Sequence, residues 1–107
     1  MSKPNRSTKT ENAEAGGETY VMLLFVAGDE PNSKQAKDNL KRICDTHLNG
    51  RHRNKIIDVL EDFQAALEHN VLVTPTLILV EPPPQVRIFG NLSDTKKVFG
   101  ALRLTGG

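Results

Sequence analysis

The chain has 107 residues, with 14 Lys plus Arg against 13 Asp plus Glu, so its formal charge is +1. That balance excludes a strongly basic nucleic-acid binder, and a single cysteine, Cys44, excludes both an intramolecular disulfide and a dithiol pair within one chain. The longest apolar run, Val21 to Ala27, is far below the ~20 residues of a membrane-spanning helix, and the N-terminus has no apolar signal core, so no membrane association is expected and a cytoplasmic location is.

Residues 1–18 contain no Leu, Ile, Val, Phe or Trp, and Lys3, Arg6 and Lys9 are balanced by Glu11, Glu14 and Glu18. Such a segment cannot offset its chain entropy by burial and is expected to be a disordered tail. One domain over 19–104 and a short tail over 105–107 remain. Tyr20 to Ala27 is a continuous apolar run bounded by Gly28-Asp29-Glu30-Pro31, which predicts a strand buried on both faces. Asn32 or Ser33 then caps a helix whose apolar face is Ala36, Leu40, Ile43, Cys44 and His47, ending at Asn49-Gly50. Lys55 to Leu60 reads as a second strand, approached through Arg51, His52 and Arg53. Asp62 caps a helix with Phe63, Ala66, Leu67 and Asn70 on one face. Val71 to Val80 is apolar throughout, but Pro75 cannot donate to a ladder, so the third strand begins at Thr76. Glu81-Pro82-Pro83-Pro84 connects it to a fourth strand in which Val86 and Ile88 alternate with Gln85 and Arg87. Ser93 or Asp94 caps a closing helix with Thr95, Val98, Ala101 and Leu102 on one face and Arg103 near its end.

The order β-α-β-α-β-β-α, with two parallel strands followed by an antiparallel hairpin, predicts a single α/β domain with a mixed sheet, the plan of a thioredoxin-like fold. In that fold a proline, usually after a cis bond, stands before the third core strand, and Thr74-Pro75-Thr76-Leu77 occupies that place. The fold does not fix function. The loop where a thioredoxin carries its cysteine pair is Gly28-Asp29-Glu30-Pro31-Asn32-Ser33 here, so a thiol oxidoreductase lacks both of its thiols. Cys44 sits on an apolar helix face and reads as a core residue. Cys44, His47 and His52 have no fourth metal ligand, Glu61-Asp62 reads as a helix-start pair rather than an acid–base dyad, and no phosphate-binding glycine loop is present. With Tyr20, Phe25, Phe63, Phe89 and Phe99 as the five aromatics and no Trp, a base-stacking platform is missing as well. No cofactor is therefore expected. Charge, by contrast, is segregated along the chain. Residues 41–55 hold Lys41, Arg42, Arg51, Arg53 and Lys55 against Asp45, net +4, while 56–70 hold Asp58, Glu61, Asp62 and Glu68, net −4. A surface of this kind either orients a protein partner or is ordinary solvated charge.

Three stretches, YVMLLFVAGDEPNS (20–33), IIDVLEDFQ (56–64) and VLVTPTLILVEPPPQVRIFGNLS (71–93), together resemble the KaiB family of bacterial circadian systems, over about residues 19–104. The resemblance implies a non-enzymatic regulator that binds a hexameric KaiC-type ATPase, with KaiA or a KaiC-binding histidine kinase as further partners, in a rhythmic clock or a simpler timing or stress response. It also implies two states of one chain, a tetrameric form and a monomeric thioredoxin-like form that binds the ATPase. Pro75, Pro83 and Pro84 are then the candidate sites of cis/trans isomerisation. Ala101 and Arg103 stand where relatives commonly carry Gly and an acid, and both favour the closing helix. For the ATPase contact the resemblance points to Lys55 and to Asn70, which replaces a basic residue of the family, with Arg51 and Arg53 as compensating cations.

Overall fold

The computed structural model describes residues 19–104. The tails expected at 1–18 and 105–107 lie outside the described residues. The elements run β1 (Tyr20–Val26), α1 (Pro31–His47), β2 (His52–Asp58), α2 (Phe63–Glu68), β3 (Thr76–Glu81), β4 (Val86–Phe89) and α3 (Thr95–Leu102). They form one four-stranded sheet in the order β2-β1-β3-β4. β1 pairs parallel with β2 and antiparallel with β3, which pairs antiparallel with β4.

β1 is apolar at every position because it lies at the centre of a sheet with helices on both faces. Tyr20, Met22, Leu24 and Val26 enter the larger core with Ala36, Leu40, Ile43 and Cys44 of α1 and Val98 and Leu102 of α3. Phe25 joins Ile57 and Ile78 in a smaller core on the opposite face, with Ala65 of α2 packed against it. Val21 and Leu23 are only half-buried, so the expectation of burial on both faces holds for part of the strand. The reason is the length of α2: six residues span about 9 Å and cover only part of this face.

Several boundaries differ from the sequence reading. α1 starts two or three residues earlier than an Asn32 or Ser33 cap allows, because Pro31 suits a first helical position and the Glu30 carboxylate accepts the Ser33 N–H at 3.1 Å. β2 begins three residues before Lys55, since pairing of His52 with Tyr20 defines it, and ends at Asp58. There the carboxylate accepts the N–H groups of both Gly28 and Leu60, each at 3.0 Å, and turns the chain out of the sheet. Asp62 caps α2 as expected, accepting the Ala65 N–H at 3.1 Å. Its buried face, however, is Ala66 alone: Phe63 and Leu67 point outward, and Asn70 lies beyond the helix at φ 55°. In α3, Asp94 is the cap and Thr95 is exposed. Phe99 instead packs against the core, edge-on to His47 with ring centroids 4.6 Å apart.

The peptide bonds before Pro75, Pro82 and Pro84 are cis. The bond before Pro82 is thus cis where the sequence reading named Pro83, and those before Pro75 and Pro84 are cis as well. Two contacts fasten the end of α3. The Tyr20 hydroxyl donates to the buried carbonyl of Leu102 at 2.9 Å. Arg103 occupies the left-handed cap position (φ 58°), and its guanidinium donates to the Pro82 and Pro83 carbonyls at 3.1 Å each rather than to the last carbonyls of its own helix. Among the described residues no helix is long and apolar enough to cross a membrane.

Candidate partner-binding surface

The β1–α1 loop holds a serine network. The Ser33 side chain is fully buried; its Oγ accepts the Ala27 N–H at 3.0 Å and donates to Glu30 Oε1 at 3.2 Å. Cys44 is buried against the sheet, with the Asn54 amide donating to its Sγ at 3.3 Å. Burial pushes its thiol above the ordinary value, which lowers the thiolate population a nucleophile needs. Among the described residues no three His, Cys, Asp or Glu side chains are placed to hold a metal ion. His47 is engaged with Phe99, and His52 keeps a buried Nδ1 without a partner. Asp62 is occupied as the α2 cap, and Glu61 is exposed beside it.

The period-two alternation of β2 sorts its side chains. Asn54 contacts Cys44 and so faces α1, whereas Ile57 packs with Phe25 and Ile78 on the α2 face. Arg53 and Lys55 therefore share the α2 face, on the part that α2 leaves uncovered, and both are exposed. Lys55, Leu23, Ile78 and Arg87 form one row across the four strands by register. Arg87 reaches from that row to the carbonyls of His69 and Asn70, fixing the end of α2 against the sheet. Asn70 thus meets the basic row through its backbone. Arg51 is set apart from this group: it precedes β2, its N–H donates to the Leu48 carbonyl and its carbonyl accepts the Tyr20 N–H, so it fastens the α1–β2 turn.

The sequence reading missed a second feature. Leu60 is 72% exposed, Phe63 65% and Leu72 92%, and Leu67, Val73 and Phe89 are more than half exposed. Register puts Val26, Asp58, Thr76 and Phe89 at one end of the sheet, and with them the adjoining segments that carry Leu60, Phe63, Leu72 and Val73. Val59, Phe63, Ala66, Val71, Leu72 and Val73 line a groove of about 180 Å³ there. A signal for it exists in the chain: Val71 to Val80 is longer than one strand, so the apolar residues ahead of Pro75 had to lie outside the sheet. The segregated charge also takes a definite form. Asp58 and Asp62 are tied to backbone N–H groups at this loop end, Lys41 pairs with Asp45 at 2.9 Å on the exposed side of α1, and Arg53 and Lys55 remain on the sheet face.

Compared with known structures, the fold is thioredoxin-like. The N-terminal domain of Synechococcus elongatus SasA matches with a TM-score of 0.66 at 21% identity, over 85% of this chain and 90% of that one. Chloroplastic thioredoxin z matches with a TM-score of 0.65 at 20% identity, over 90% and 88%. In sequence, the circadian clock oscillator protein KaiB of Picosynechococcus sp. is 49% identical over 86 residues, covering 80% of this chain and 83% of that protein. The protein of the same description from Prochlorococcus marinus is 46% identical over 90 residues, covering 84% and 83%. The family model described as the KaiB domain matches residues 23–104, from within β1 to the residue after the α3 cap. With most of β1, the other three strands, both helical layers and the Thr74-Pro75 junction inside that match, the chain belongs to the KaiB family.

Proposed function

We propose that this chain is a non-enzymatic clock regulator of the cytoplasm that acts by binding a KaiC-type hexameric ATPase. The observation that carries the reading is its 46–49% identity, over at least 80% of its length, to circadian clock oscillator proteins. The surface suits such a role: a basic row on a partly uncovered sheet face offers charge steering. Lys55 and Arg53, with Asn70 at the edge, are the contact residues on this reading. KaiA or a KaiC-binding histidine kinase would compete for or extend the assembly. The thioredoxin-like arrangement is the binding-competent form. Ala101 within α3 and the Arg103 contact to the triple proline both favour it over an alternative C-terminal arrangement.

The test is size-exclusion chromatography with light scattering, on the protein alone and with the KaiC-type ATPase of the same organism, under ATP and under ADP. A monomer that co-elutes with the hexamer without delay is the expected result, and the double variant Arg53→Glu, Lys55→Glu should weaken binding about tenfold or more. Binding that develops over hours from a tetramer would retain the partner but overturn the preformed state. An absence of binding under both nucleotides would overturn the partner.

A further inference from the structure

On the face of the sheet that carries the larger core, α1, α3 and the loop leading into α3 border a cavity of about 440 Å³. That volume lies within the roughly 300–1,000 Å³ of small-molecule sites. One stripe of α1 forms one side of it, from Asn39 and Arg42 to Thr46 and His47, and Thr95 and Phe99, a turn apart on α3, form the other. Its floor is apolar. Ile43 and Leu92 are buried there, and Phe99 packs against the core with His47 set edge-on to it. Its charge is positive, since Arg42 lines it and no Asp or Glu does. The Arg42 guanidinium donates to Asn39 Oδ1, a neutral acceptor. Neither flanking acid of α1 pairs with it: Asp45 is held by Lys41, and Asp38 forms no ion pair among the described residues.

The wall of the cavity is fixed before any ligand arrives. The Asn91 side-chain amide donates to Gln35 Oε1 at 2.7 Å, its Oδ1 accepts the Ser93 N–H at 3.0 Å, and its carbonyl accepts from the Asn39 amide at 2.8 Å. Leu92, between these anchors, is held at φ 66°, a conformation that a bulky residue keeps only where its surroundings impose it. Each property selects part of a ligand. A guanidinium with donors to spare takes a carboxylate in a two-pronged bond. One guanidinium with no Lys lining the cavity beside it matches a single negative charge rather than a polyphosphate. The apolar floor takes a hydrocarbon or aromatic body, which gains by leaving water. We propose that the cavity between α1 and α3 binds a small amphipathic monocarboxylate, its carboxylate on Arg42 and its apolar body against Ile43, Leu92 and Phe99. The site is on the opposite face of the sheet from Arg53 and Lys55, and it stands whether or not the ATPase reading does.

The probe is hydrocinnamate, beside hydrocinnamamide, which has the same ring and chain without the charge. Each is titrated into the isotope-labelled full-length protein and followed by amide chemical shifts. Hydrocinnamate should saturate at millimolar concentration or below, with shifts centred on Arg42, Ile43, Thr46, Leu92 and Phe99, and the amide should bind at least about fivefold more weakly. Arg42→Gln, at an exposed position, should remove that preference while leaving binding of the amide unchanged. Thr46→Trp, also at an exposed position of α1, fills the mouth of the cavity and should weaken both ligands about tenfold or more. The spectra of the free variants report that they are folded. Equal affinity for the two ligands, shifts centred on another surface, a preference that survives Arg42→Gln, or no saturation by about 5 mM would each overturn the proposal.

Discussion

Burial lifts the Cys44 thiol because a thiolate in the core has little water to solvate it, and the Asn54 amide offsets only part of that cost. A thiol held protonated in the fold contributes stability below its ordinary value of 9.0. As pH rises past that value the unfolded chain loses its proton first, so stability falls until the native thiol also ionises. Stability of the parent protein should therefore drop more steeply above pH ~9 than that of the Cys44→Ala variant, measured by urea unfolding at stepped pH. In native buffer at pH 8, labelling by a thiol reagent should be slowed by orders of magnitude relative to the urea-unfolded chain, because the side chain is inaccessible. Equal rates would show that the thiol is open. The burial of Cys44 was legible in the sequence, since its spacing from Ala36, Leu40 and Ile43 put it on an apolar helix face. Its bond to Asn54 was not: the two belong to different elements, joined only by the packing of α1 on β2.

Among the elements, α2 departs most from its sequence pattern, and the cause is length. In a long helix an i, i+4 pair such as Phe63 and Leu67 marks the buried stripe. In six residues held between Asp58 and Pro75, the anchoring of both ends decides which side meets the sheet, and the small Ala65 and Ala66 allow close approach. Too short to be stable alone, such a helix depends on its cap. Asp62→Ala should cost about 1 kcal/mol, read by urea unfolding, with amide exchange accelerated over residues 63–68. β2 shows the complementary limit. Its polar first half carries no alternation of apolar residues, so only register against β1 reveals it as strand. The strands that were read well, β1, β3 and β4, are those whose apolar residues face cores on one or both sides.

At the scale of the whole molecule, the β-α-β-α-β-β-α order was readable because apolar runs, caps and prolines fall at the element boundaries. The proposed partner surface was readable only in part. Lys55 and Arg53 were put forward through the family resemblance, but the apolar loop end could not be, because exposure there arises from chain segments meeting in space. The same separation governs how α3 is held. Tyr20, near the start of the described chain, donates to Leu102 near its end, so a single hydroxyl joins residues 82 positions apart. Tyr20→Phe should cost about 1 kcal/mol and should accelerate amide exchange in α3 while leaving the middle of α1 protected. Uniform acceleration across both helices would show that α3 does not open independently.

β2 lies at the edge of the sheet, and among the described residues no strand pairs with its outer side. Such an edge is a template for runaway pairing with further copies of the chain, and charged side chains along it are the usual defence. Arg53 and Lys55 supply that defence. The two cations proposed as contact residues thus also oppose pairing between copies of the chain along this edge, so their replacement by apolar residues is expected to raise the risk of aggregation.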